Sequence, residues 1–133
     1  MIDVQLEYDT DTPPIINEDW LAKACTGILE EQGYGEASLT LIISNDEALC
    51  RLKKEYFSKD QLTDVIAFNM EEENEPLEGE IYISIERVRE NAREFSQEFD
   101  TELKRVIIHG CLHLTGLDDQ VPEEKQNMTR LED

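Results

Sequence analysis

Lys104–Asp119 reads K-R-V-I-I-H-G-C-L-H-L-T-G-L-D-D and contains both histidines of the chain, His109 and His113. Residues four apart share a helix face with Cβ atoms roughly 5–6 Å apart, a workable spacing for two imidazoles to reach one metal ion. Gly116 follows where a helix can stop, since glycine enters the left-handed cap conformation at little cost. The turn beyond it carries Asp118 and Asp119, either of which could return a carboxylate over the helix end. Two neutral nitrogens, one carboxylate and an open fourth position form a common setting for catalytic zinc. Cys111 lies between the histidines but about 200° around the helix from each, so it should face away from a metal held by both.

Working outward, Thr101 is a candidate cap for this helix. Before it, Ile85, Val88, Ala92 and Phe95 form the core stripe of another helix. Glu80–Ile85 suggests a strand, and the acidic run Glu71–Glu80 (E-E-E-N-E-P-L-E-G-E) a solvated loop. Asp64–Met70 is a further strand, entered from a polar loop at Ser58–Thr63. Asn45 caps a helix to about Tyr56, preceded by a strand at Ser38–Ser44. Asn17 caps a helix through about Gln32, with Trp20, Leu21, Ala24, Ile28 and Leu29 on its inner face. Ile2–Tyr8 alternates apolar and polar residues as a half-buried strand does. Pro122 opens a last short helix to Leu131. The expected fold is α+β: a small four-stranded mixed sheet with packed helices, the central helix carrying the metal ligands. One domain should cover residues 1–133.

The net charge of −20 argues against a broad basic surface for nucleic acid, DNA included. RNA would have to be met by a local cluster or by the metal. No apolar stretch approaches the roughly 20 residues that span a bilayer. The start M-I-D-V-Q-L-E-Y-D has neither a basic flank nor an apolar run, so a cytoplasmic protein without a membrane partner is expected. Cys25, Cys50 and Cys111 are odd in number and widely spaced, which fits buried thiols rather than a disulfide framework.

The spacing H-x₃-H-x₂-G-x₂-D resembles the zinc helix of metzincin peptidases in its ligand positions. Those enzymes carry a glutamate directly after the first histidine as general base, and here that place is Gly110. The proteolytic reading therefore lacks its base.

A second resemblance covers more of the chain. H-G-C-L-H-L-T-G-L-D-D is similar to the H-G-x-L-H-L-x-G-Y-D-H signature of the YbeY family of rRNA maturation factors. Leu52–Phe68 (L-K-K-E-Y-F-S-K-D-Q-L-T-D-V-I-A-F) resembles that family's L-N-x-x-Y-R-x-K-D-x-P-T-D-V-L-S-F. Glu78–Ala92 (E-G-E-I-Y-I-S-I-E-R-V-R-E-N-A) resembles its L-G-D-I-V-I-S-x-E-x-V-x-x-x-A. The resemblance implies a metal-dependent endoribonuclease with one zinc ion per chain. Its partners would be single-stranded ribosomal RNA and the small ribosomal subunit, and its role maturation of 16S-type rRNA and ribosome quality control.

By the same resemblance the metal ligands are His109, His113 and Asp119, the last standing where the family usually has a histidine. An aspartate adds a negative charge to the site, making the metal a weaker Lewis acid with a less acidic bound water. Asp118 matches the family's preceding aspartate and is a candidate general base, alongside the metal's own water. Lys59, Thr63 and Asp64 match K-D-x-x-T-D and would border the cleft as substrate contacts; otherwise Thr63 and Asp64 only shape the turn into the strand. Phe57 stands where the family usually has an arginine for handling RNA. Arg105, one turn before His109 on the same helix face, could supply that cation in catalysis or be an ordinary surface arginine. Tyr56 is expected in the core. The competing reading is a non-catalytic, metal-stabilised ribosome-assembly factor, favoured by the acidic surface and by Phe57.

Overall fold

The computed structural model describes residues 1–11, 14–58, 63–70 and 75–115. Within them the order is β1 (Ile2–Tyr8), α1 (Glu18–Glu31), β2 (Ala37–Ser44), α2 (Asp46–Phe57), β3 (Val65–Asn69), β4 (Leu77–Ser84), α3 (Ile85–Glu94) and α4 (Phe99–Leu114). The expected Pro122–Leu131 helix lies outside the described residues, as do Lys59, Gly116, Asp118 and Asp119. Among the described residues no helix is long and apolar enough to cross a membrane.

The strands form one sheet in the order β1-β2-β4-β3. β1 and β4 run parallel to β2, while β3 pairs antiparallel with β4 along its edge. The α+β class with a four-stranded mixed sheet is as expected. Strand alternation sorts the side chains onto two faces. Val4, Leu39 and Leu41, with Ile81, Ile83 and Val65, meet Leu21, Cys25 and Leu29 of α1 and Leu103, Val106, Ile107 and Cys111 of α4 in the main core. Ile42, Tyr82 and Ile66 are register partners on the other face, which α2 covers with the fully buried Leu49. α3 packs beside α4.

Caps set several helix starts. The Asn17 and Asn45 side chains accept from the backbone N–H groups of Trp20 and Ala48, satisfying amide donors that the first turn leaves without a partner. Ser84 does the same for Arg87 at the start of α3.

Five local expectations need correction. β4 begins at Leu77, inside the stretch read as loop, because Leu77 and Gly79 are buried and continue the register with Ala37 and Leu39. α4 begins at Phe99, two residues before Thr101, since Phe99 packs against the core and Arg89 lies over its ring. Phe95 is not core: α3 ends at Glu94, and the left-handed Ser96 turns the chain away. Tyr56 is 61% exposed, touching Phe68 edge-on from the rim of α2. Cys25 and Cys111 are buried as expected, but Cys50 is only half-buried.

Candidate metal centre

α4 is apolar on one side and polar on a narrow stripe beside it. Leu103, Val106, Ile107, Gly110, Cys111 and Leu114 are buried against the sheet and α1. At 100° per residue, Glu102, Arg105, His109 and His113 fall within an arc of about 80° at the border of that face. Two glycines let the helix sit close to β4. A Cβ on Gly110 would stand 2.7 Å from Cγ2 of Ile81, and one on Gly79 would stand 2.7 Å from both Cδ atoms of Leu114. This close seating fixes where along the strands the histidines come. It also means that position 110 points into the core, so a glutamate there could not serve as a base at the histidines.

The His109 and His113 rings meet edge-on, with centroids 3.9 Å apart. His109 is 8% exposed and His113 half-buried. Burial, then the positive fields of His113 and Arg105, push the His109 pKa down to about 3. It is therefore neutral at physiological pH, the state in which an imidazole ligates a metal. Two neutral imidazoles this close could form two corners of a tetrahedral metal site. Among the described residues no group of three His, Cys, Asp or Glu that could hold a metal is present. Asp118 and Asp119, expected to supply the general base and the third ligand, lie outside them. Cys111 points away as its angle requires, its Sγ 3.4 Å from that of Cys25.

Arg105 reaches back one turn to Glu102. Its Nε–H donates to Glu102 Oε1 at 3.0 Å, and a terminal N–H donates to Oε2, making a two-pronged pair. The Glu102 side chain is 2% exposed and that of Arg105 24%. Asp64 lies in the field of both charges. Its Oδ2 accepts from Asn91 Nδ2 at 3.2 Å, and its carbonyl accepts from the Ser84 N–H at 3.0 Å. Burial raises the Asp64 pKa against the pull of Arg105. The Thr63 hydroxyl donates to the Val65 carbonyl at 3.2 Å and so braces the turn into β3. Sequence reasoning missed Glu102; the E-x-x-R spacing on the histidine face was the available signal.

Phe57 stands elsewhere. Its ring stacks on Phe68 at 6.0 Å, and Phe68 meets Tyr82 edge-on on the α2 face of the sheet, the face opposite α4. Lys53 lies over the same ring, 5.1 Å from its centroid. A separate cleft of about 580 Å³ lies near the ends of β1 and β2, lined by Thr10, Asp11, Asn45, Asp46, Glu86 and Arg89 among others. It contains neither histidine.

Comparison with known proteins agrees with this layout. Residues 5–133 match the family model described as Endoribonuclease YbeY. The Endoribonuclease YbeY of Christiangramia forsetii is 42% identical over 115 residues, which span 86% of this chain and 77% of that protein. That of Chlorobaculum parvum is 38% identical over 128 residues, spanning 96% and 90% respectively. A Thermotoga maritima protein of known solution structure superimposes with a TM-score of 0.51 at 28% identity, covering 99% of this chain and 87% of its own. Family model, relatives and fold agree: the chain belongs to the YbeY family.

Proposed function

We propose that this protein is a zinc-dependent endoribonuclease that cuts single-stranded RNA in the cytoplasm. Its substrate would be small-subunit ribosomal RNA, cut during maturation and quality control of the ribosome. The observation that carries the reading is the pair of close, neutral imidazoles on α4 in a chain of this family. His109, His113 and Asp119 would hold one zinc ion per chain. Zinc in such a site supplies Lewis acidity at a phosphoryl oxygen. The chain's own residues do the rest. His109 stays unprotonated and offers a lone pair, and Asp118 accepts a proton. Lys59 and Arg105 bring cations to the phosphodiester, and Thr63 and Asp64 shape the wall of the cleft.

The alternative, a ribosome-assembly factor that holds the metal but does not cut, is favoured by the net charge of −20, which repels RNA. A peptidase is disfavoured because position 110 has no room for the base.

The deciding experiment pairs metal analysis with cleavage. Protein purified without added metal, its chelated form, His109→Ala, Asp118→Ala and Asp119→Ala are assayed for zinc and for defined products from single-stranded ribosomal RNA. About one zinc per chain is expected, lost in His109→Ala and Asp119→Ala and kept in Asp118→Ala, with cleavage lost in all three, in Asp118→Ala for want of the proton acceptor. Zinc uptake without any cleavage would favour the assembly factor, and no uptake would remove the site.

A further inference from the structure

Glu102 is an unexpected residue to find inside this protein. A carboxylate with 2% exposure on a core helix is costly unless it is paired, and an apolar side chain of similar size would generally stabilise the fold as well or better. Its partner is Arg105, engaged through Nε and one terminal nitrogen. A guanidinium held at two points of its planar fork loses its freedom to swing. Arg105 is also one turn before His109 on the same stripe, close enough for its charge to act on that ring.

We propose that Glu102 is a positioning residue that clamps Arg105 beside His109, so that the guanidinium contacts a phosphate of the bound strand. The substrate class, a nucleic-acid phosphodiester, rests on the function proposed above. Glu102 and Asp64 offset the charge of Arg105, so the contact works through directed N–H donors rather than through a net positive field. Lysine, which carries the charge without the fork, should therefore not replace it.

This gives a test with a sign that simple electrostatics would reverse. In an acidic chain, removing one carboxylate should strengthen RNA binding if only the overall field matters. A positioning role predicts weaker binding. Glu102→Gln, Arg105→Lys, Arg105→Ala and the Glu102→Gln/Arg105→Lys double variant are each confirmed to be folded and to hold as much zinc as the natural protein. Their affinity for a short unstructured RNA and for inorganic phosphate is then measured, with single-turnover cleavage of the same RNA.

Each single variant should lose about tenfold or more in affinity for both probes. The double variant should be no worse than Arg105→Lys. A merely structural Glu102 would lower the melting temperature and leave both affinities in place. The proposal is overturned if Glu102→Gln binds as well as or better than the natural protein, if Arg105→Lys is silent, or if the natural protein binds neither probe. Phosphate binding that needs Arg105 and Glu102, in a protein that cuts no RNA, would keep the inference and remove the proposed activity.

Discussion

Replacing Gly110 by alanine tests how closely the histidine helix is seated on the sheet. In open solvent a helical Gly→Ala change gains about 1 kcal/mol, because alanine has less backbone freedom to lose. Gly27, in α1, is such a position, with nothing within 4 Å of an added Cβ. At Gly110 the same methyl would lie 2.7 Å from Cγ2 of Ile81 and 3.1 Å from Cγ2 of Val65, both inside ordinary contact distance. α4 must then lift, or β3 and β4 must give, and overpacking of this kind costs about 1–3 kcal/mol. Gly27→Ala should raise stability by up to about 1 kcal/mol, and Gly110→Ala should fall below it by about 1–3 kcal/mol. The assay is urea unfolding of the metal-free protein at neutral pH. Ile81→Ala supplies the cross-check: alone it leaves a cavity costing about 2–5 kcal/mol, but beside Gly110→Ala the new methyl enters that space. The double variant should be more stable than the sum of the two by about 1 kcal/mol or more. If Gly110→Ala matches Gly27→Ala within about 0.5 kcal/mol and the two changes at 110 and 81 simply add, the close seating of α4 is wrong.

Acid should weaken the metal-free protein. His109 has a folded pKa of about 3 against 6.5 in the unfolded chain, so only the unfolded state gains this proton as pH falls between those values. Its contribution is complete above 6.5 and is lost toward 3. After discounting for the water that reaches the ring, a loss of about 1–2 kcal/mol from pH 7 to 5 is expected. The raised pKa of Asp64 works the other way, giving back some stability as pH falls through its folded value. Urea midpoints across this range should show the slope, and His109→Asn should flatten it; an equal slope in the variant would count against the assignment. Asp46 ties the start of α2 to the start of α3, accepting from the buried Ser84 hydroxyl at 2.7 Å and from Arg87 Nε at 3.2 Å. Asp46→Ala should cost about 1–3 kcal/mol in the same assay by leaving Ser84 without its acceptor, with Asp46→Asn recovering part; a change below about 0.5 kcal/mol would show that the link is idle.

What the sequence determined by itself is local. Helix periodicity, strand alternation and capping act within about four residues, so the eight described elements, the Asn17 and Asn45 caps and the shared face of His109 and His113 are all readable from the chain. The angle that turns Cys111 away from the histidines is equally local, and its burial followed. Only the tertiary structure decided the rest, because each remaining feature depends on a neighbour distant in sequence. The order β1-β2-β4-β3 inserts β4 beside β2, and that pairing extends β4 back to Leu77 through residues whose acidity reads as loop. Gly110 reads as a missing catalytic base until Ile81, some thirty residues earlier, shows that the position faces packed core. Tyr56 carries an apolar ring like any core residue, yet the sheet edge leaves it 61% exposed, its ring meeting Phe68 edge-on. Glu102 shows the reverse. Its charge predicts a surface position, yet in the folded chain its side chain is 2% exposed, with Arg105 to neutralise it.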